Sequence, residues 1–374
     1  MWHSLLLRPM LRSFTHMTFW GDYGGYGVRE TYRMSERCVL FAIAFVSIVV
    51  LLFSGCGRQK DPFQPGKVYS VVASFSTPGY AQDVYVADAY AYVVDDQAGV
   101  WVIDVSHPET PRLVTTLGRD ESATNVEAVH ILEENSIALV ADYDIGLLIY
   151  DVSNVTNPQL LNVAFDRDIE GTFGIDRGDT IFVFGADRHE GFKVNRYEKQ
   201  EDGKWNWFYY TFFMRIPFSW GDALDVVASE EYAFVANDHI GLEIIDLALP
   251  EGAAHVRTVD TPGGARAASL LNHHIYLAAY QKGVQIIDVS DPYEASVVGS
   301  YEEVDRVVDV YAADGYVYVA DRSEGLLVLD VSDPARPSLV GQLETPYAQG
   351  VFATGSHIYV ADRDSGLLIV GREP

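Results

Sequence analysis

Seven glycines of this 374-residue chain, Gly99, Gly146, Gly191, Gly241, Gly283, Gly325 and Gly366, each follow by four residues Asp95, Asp142, Asp187, Asn237, Ala279, Asp321 and Asp362, side chains that could bind or catalyse in every copy except at Ala279. Loops such as 142-DYDIG-146 and 362-DRDSG-366 invite a calcium reading. Calcium asks for six to eight oxygens and commonly a terminal bidentate Glu. These loops offer two acids each and no such Glu, so the expected role is an Asx-type turn in which the carboxylate holds loop N–H groups. The ten histidines are scattered. The one adjacent pair, His273-His274, would point to opposite faces of a strand. There is no His-x-His or His/Cys cluster for zinc and no Gly-x-Ser-x-Gly nucleophile elbow. No metal, no cofactor and no catalytic constellation is expected from spacing alone.

The elements that position these loops repeat. The glycines are separated by 47, 45, 50, 42, 42 and 41 residues. The phrase after each recurs as 99-GVWVIDVSHP-108, 283-GVQIIDVSDP-292 and 325-GLLVLDVSDPARP-337. A period of this length marks a repeat architecture. Within 307–346, apolar runs at 307–312, 316–321, 326–331 and 338–344 are separated by Asp-Gly, Ser-Glu-Gly and Asp-Pro turns, which predicts four short antiparallel strands per copy. The glycine supplies positive φ at the end of a hairpin loop. The closing Asp (Asp104, Asp151, Asp246, Asp288, Asp330) is expected to accept backbone N–H groups of the Ser-x-Pro segment.

The ends of the array decide its closure. The last copy has three strands, and its missing fourth has a counterpart at the N-terminus, where 68-VYSVVASFSTPGYAQDV-84 aligns with 338-SLVGQLETPYAQGV-351. The reading is an all-β fold: a seven-bladed β-propeller of four-stranded antiparallel blades over 68–374, closed by sharing the last blade between N- and C-terminal strands. The cores Val100–Asp104, Leu242–Asp246 and Leu326–Asp330 resemble the LVIVD repeat of bacterial surface propellers. That resemblance covers about 68–371 and implies a propeller at the cell surface, with no activity attached. It departs at Leu367–Gly371 and at 192-FKVN-195, where Asn195 is read at the place of the strand-ending Asp.

With 48% hydrophobic residues, the chain can bury a large core, which argues against disorder. Its net charge of −27 repels phosphate backbones, so no nucleic-acid partner is expected. Both cysteines, Cys38 and Cys56, lie near the N-terminus, which leaves the repeat region without disulfides. The apolar run 39-VLFAIAFVSIVVLLF-53, preceded by Arg37 and followed by Ser54-Gly55-Cys56, has the length of a signal-peptide core. Phe53–Cys56 resembles a bacterial lipobox, with Phe53 at the usual Leu position. The resemblance implies cleavage before Cys56, lipid on its sulfur, and a membrane-anchored, extracytoplasmic protein of the bacterial cell envelope, on the outer membrane or cell surface if Gram-negative. Met34 then reads as the true start, with 1–33 an extra or disordered leader, 34–55 a lipoprotein signal peptide and 56–67 a tether. Beyond residue 56 there are 21 Lys+Arg against 50 Asp+Glu.

Two places could carry function. The residues entering the innermost strands, Tyr80, Gln82, Asn125, Glu127, Asp222, Arg266, Arg306, Tyr347 and Gln349, should ring one mouth of the axial channel, as a solvated funnel or a ligand site. The run 205-WNWFYYTFFM-214 in blade three is aromatic on both faces, so Trp205, Trp207 and Tyr209 would form either a partner patch or packing against the next blade. The expected function is a binding or scaffolding module for an envelope protein or small ligand. The alternative is a propeller enzyme of hydrolase or lyase class acting at the funnel, which a cluster of shifted carboxylates or His at the axis would favour.

Overall fold

The computed structural model describes strands at 16–19 and 30–33 and, further on, residues 69–118, 125–206, 212–216, 222–247 and 254–372. The chain divides into two units, Met1–Gln64 and Pro65–Pro374. In the first, His16–Phe19 pairs antiparallel with Glu30–Arg33. The proposed signal segment 34–55, the tether and Cys56 lie outside the described residues. No helix among the described residues is long and apolar enough to cross a membrane.

The second unit contains seven four-stranded antiparallel sheets. Blade six shows the pattern: Val307–Ala313, Tyr316–Asp321, Gly325–Asp330 and Ser338–Leu343, each paired with the next. Blade seven is composite. Ala348–Ala353, His357–Asp362 and Gly366–Arg372 come from the C-terminus, and Tyr69–Phe75 completes the sheet by pairing with Gly366–Arg372. The innermost strands touch in cyclic order, and that of blade seven packs on that of blade one, Ala81–Ala87. The ring is closed as the alignment of the two ends requires.

Cohesion comes from seven apolar clusters, one at each interface between successive blades. Between blades five and six, for example, Tyr276, Val284 and Ile286 meet Val310, Val317 and Leu329, all buried. Val, Ile and Leu dominate because a middle strand of a blade is covered on both faces, so strict polar alternation is lost.

The local turn chemistry explains the repeated phrase. All seven indexed glycines have positive φ, between 68° and 125°. At Gly283 a Cβ would also lie 1.9 Å from the Tyr301 carbonyl oxygen, so only glycine lets the outer strand approach. The strand-ending carboxylates accept N–H groups as expected: Ser106 donates to Asp104 at 2.9 Å and Ser332 to Asp330 at 2.9 Å. The acids four residues before the glycines close Asx-type turns. Asp321 Oδ1 accepts from Ser323 and Glu324 N–H at 2.7 and 2.8 Å, while its Oδ2 accepts from Arg306 N–H at 3.0 Å. Asp362 repeats this, with Oδ2 holding Tyr347 N–H at 2.7 Å. These carboxylates are buried and committed to clasping two loops together. Among the described residues no group of three or more His, Cys, Asp or Glu is placed to hold a metal ion.

Blade three differs from the sequence reading in one respect. Its third strand, Gly191–Glu198, has eight residues where its counterparts have five to seven. Pairing of Asp187 with Gly191 and of Phe182 with Arg196 puts Arg196, not Asn195, at the position of the strand-ending Asp. Asn195 instead lies in the strand interior, buried, donating to the Tyr197 hydroxyl at 3.1 Å.

Candidate functional site at the mouth of the axial channel

Six of the seven innermost strands carry a bulge near their entry, where register slips between Ala81 and Asp83, Val126 and Ala128, Ile169 and Gly171, Ala223 and Asp225, Val307 and Asp309, and Ala348 and Gly350. A bulge sets two consecutive residues against one partner and re-aims their side chains. Here it turns neighbouring residues, such as Gln82 with Asp83 and Leu224 with Asp225, onto one cavity of about 190 Å³ on the propeller axis.

The deeper residue of each pair, with Ala267 of the unbulged blade five, forms a belt: Asp83, Ala128, Gly171, Asp225, Ala267, Asp309 and Gly350 in blade order. The three acids staple neighbouring blades. Asp83 takes its own strand's Val84 N–H at 2.7 Å and Val129 N–H of blade two at 3.0 Å. Asp309 takes Val310 N–H at 2.7 Å and Val351 N–H of blade seven at 2.7 Å. Asp225 reaches Ala268 N–H of blade five at 2.9 Å. In blade seven the small residue permits this approach, since a Cβ on Gly350 would lie 2.8 Å from Asp83 Cα. Each acid shows some surface to the channel void but is surrounded by protein. Burial therefore pushes the Asp225 carboxyl up to about 6, against the hydrogen bonds that favour its anion. Burial also raises Asp83, and it raises Asp309 further because the charge of Asp83 adds to it.

Two residues beyond the belt, an aromatic arc crosses five blades. Tyr311 packs tilted against Phe352 with ring centroids 4.3 Å apart, Phe352 against Tyr85 at 4.7 Å, Tyr85 edge-on against His130 at 5.1 Å, and His130 against Phe173 at 4.2 Å. With Val227 and Ser269 of blades four and five, these side chains line a second cavity of about 330 Å³. Burial holds His130 down to about 4, so it stays neutral among the rings.

On the near side of the belt is the polar mouth. Gln82, Glu127, Arg266 and Gln349 line its cavity. The Gln349 amide donates to Gln82 Oε1 at 2.6 Å, and Arg322 Nε donates to Gln349 Oε1 at 2.6 Å. Tyr80 and Tyr347 stand at the rim against Arg363, whose guanidinium carbon is 4.4 and 5.1 Å from their ring centroids. Asp222 meets Arg188 at 3.7 Å, and Arg188 meets Glu170 at 3.0 Å. Asn125 and Arg306 contribute backbone here: Tyr143 N–H donates to the Asn125 carbonyl and Arg322 N–H to that of Arg306. Glu127 is pushed up to about 7, first by burial and then by the charge of Glu170, with Arg188 opposing. Sequence reasoning missed Glu170, Arg188, Arg322 and Arg363 at this mouth. The last three share a signal, since each directly follows a loop-clasping Asp (Asp187, Asp321, Asp362).

Of the blade-three aromatics, Trp207 and Tyr209 lie outside the described residues. Trp205 is half-buried, forms an isolated bridge with Lys199, and packs on the apolar cluster between blades two and three, with Lys199 Nζ 4.9 Å from its ring. Its placement is that of an edge brace.

Fold and mouth together define a closed seven-bladed propeller with a polar axial cavity. The chain belongs to the LVIVD repeat family, whose model matches residues 78–117, 136–163, 220–250, 262–303, 306–345 and 347–371. Blade three falls in 164–219, the longest unmatched interval between matched repeats, where Arg196 replaces the repeat Asp. No curated protein sequence matches the chain. Among solved structures, the computationally designed Ika8 protein is similar at a TM-score of 0.57 and 8% identity, covering 80% of this chain and 99% of its own. That likeness concerns the fold alone.

Proposed function

We propose that this propeller is a binding module of the bacterial cell envelope, anchored by lipid on Cys56, which captures a small ligand at the polar mouth of its axial channel. The observation that carries the reading is the convergence of Gln82, Glu127, Glu170, Arg188, Arg266, Arg322 and Gln349, drawn from six blades, on one cavity. The belt acids below it have their oxygens engaged in joining blades, so recognition falls to the mouth. Small-molecule sites are concave and orient their ligand with a few convergent polar groups. Anchoring is tested with Cys56→Ala: the variant should lose acyl mass by intact-protein mass spectrometry and leave the detergent phase. An unmodified, uncleaved Cys56 in wild-type membranes removes the lipoprotein part of the reading. For the mouth, co-crystals with a captured ligand should show density against Arg322 and Gln349, and density elsewhere sinks the assignment.

A second reading has its own observation. Glu127, raised to about 7, stands beside Glu170 and its partner Arg188, an arrangement suited to proton transfer near neutrality. A propeller enzyme of hydrolase or lyase class would lose turnover but keep ligand binding in Glu127→Gln. A pure binding module would show no turnover in either form.

A further inference from the structure

The mouth is electrically two-sided. On the wall of blades two to five, Glu127 and Glu170 face the cavity, and Asp222 stands beside them. The arginines there are already matched: Arg188 by Glu170 and Asp222, and Arg266 by Asp238 at 3.3 Å. Glu127 has no hydrogen bond or ion pair among the described residues, although Glu170, Arg188, Asp96 and Asp142 all act on it through space. Across the axis, on blades six and seven, the situation reverses. Arg322 and Arg363 both lie against the Tyr347 ring, at 5.6 and 5.1 Å from its centroid. Arg363 also stacks on Tyr80, and Arg322 is held by Gln349. Neither has a carboxylate within ion-pair distance among the described residues, though the chain carries twice as many acids as bases. Asp96 and Asp364 act on Arg363 only through space. Two arginines held in place by aromatic rings and a glutamine, with their charge unmatched, make a carboxylate receptor, because the guanidinium fork binds carboxylates in plane. An unpaired glutamate on the opposite wall suits an ammonium group.

We propose that the mouth recognises a small zwitterion, with its carboxylate on Arg322 and Arg363 and its ammonium on the Glu127 side. This rests on the mouth being the binding site and adds the ligand class. Each half alone would be a solvated charge; together they discriminate against singly charged molecules, since a ligand missing either group leaves one side of the mouth unmatched.

The test is titration calorimetry on the full chain in detergent micelles at pH 8 and low salt. The probes are alanyl-alanine, 4-aminobutyrate and 6-aminohexanoate, which span different charge separations, with N-acetyl-alanyl-alanine and alanyl-alaninamide as singly charged controls. At least one zwitterion should bind tenfold or more tighter than both controls. The double variant Arg322→Gln/Arg363→Gln should bring the free dipeptide down to the level of the amide, and Glu127→Gln should bring it down to the acetylated form, each with an unchanged melting profile. Controls that bind as tightly as the zwitterions overturn the proposal. A set of uncharged fragments is titrated in parallel. If these bind, lose affinity in Tyr347→Ala, and no zwitterion does, the mouth is a site and the zwitterion assignment alone fails. If neither class binds, both readings fail.

Discussion

Replacing Asp225 with Asn tests the claim that the channel acids are strained staples. Asp225 sits in the belt with Asp83 and Asp309, the two titratable groups whose charges reach it, and hydrogen-bonds Ala268 N–H of the next blade. Its carboxyl is raised from 3.8 to about 6, mainly by burial. For an acid whose pKa is higher folded than unfolded, the native state binds more protons between those two values, so stability falls as pH rises through that window. The displacement corresponds to about 3 kcal/mol, reduced to roughly 1.5–3 kcal/mol because the group touches channel water. Asn cannot titrate and keeps one acceptor. Relative to wild type, the variant should therefore gain about 1.5–3 kcal/mol between pH 4 and pH 7.5, whatever its offset at pH 4 from the weakened hydrogen bond. Urea unfolding of both proteins across this range, followed by tryptophan fluorescence, reads the difference directly. A difference constant within about 0.5 kcal/mol over that range would mean that Asp225 ionises freely, and the burial argument would be wrong.

Removing residues 68–76 should lower the melting temperature by about 5–10 °C or abolish cooperative unfolding, because Tyr69–Phe75 supplies the fourth strand of blade seven; an unchanged melting curve would separate that strand from the ring. Lys193 is 2% exposed and its Nζ lies 2.7 Å from buried Asp187 and 3.0 Å from Glu190. Lys193→Ala should therefore cost about 3–5 kcal/mol in urea, and Asp187→Asn in the same chain should recover part of it. Gly283→Ala should destabilise by about 1–3 kcal/mol, since Gly283 combines φ 68° with a 1.9 Å approach to the Tyr301 oxygen; calorimetry of the variant checks it.

The architecture was legible because its determinants are local and repeated. A positive-φ glycine, a turn-opening Asp and an Asp-Val-Ser-Pro exit are demanded by each hairpin separately, so seven copies reinforce one register. Closure was legible too, since the missing C-terminal strand has its homologue at residue 68. The channel was legible only in part. Counting residues into the inner strands reached Gln82, Glu127, Arg266 and Gln349, but stopped one short of Asp83 and, at Asp222 and Arg306, three short of Asp225 and Asp309. Strict alternation would turn those acids away from the axis; the bulge turns both neighbours inward. A trace existed, because Asp83, Asp225 and Asp309 each stand sixteen residues before an indexed glycine. Arg322 and Arg363 were missed for a different reason. They follow the second strands, so Arg363 reaches Tyr347 through its own hairpin, where its N–H donates to the Tyr347 carbonyl, and Arg322 reaches it only when blade six packs on blade seven. In blade three the Asp position, five residues after the indexed glycine in the copies that keep it, falls on Arg196, so counting from Gly191 would have found it without the pairing.

Whether this propeller works by holding a small ligand at the polar mouth can be read by fluorine NMR. Fluorotyrosine would be installed singly at the rim residues Tyr80 and Tyr347, which pack on Arg363, and, as a control, at Tyr293, which is 56% exposed and lies in the turn before the outer strand of blade five, where its carbonyl accepts from Arg257. Each protein would be titrated with the small-molecule fraction of its host's growth medium. The account predicts saturable shifts at Tyr80 and Tyr347, lost in Arg322→Gln, with Tyr293 unmoved. Shifts confined to Tyr293, or an unchanged spectrum at all three positions, would contradict it.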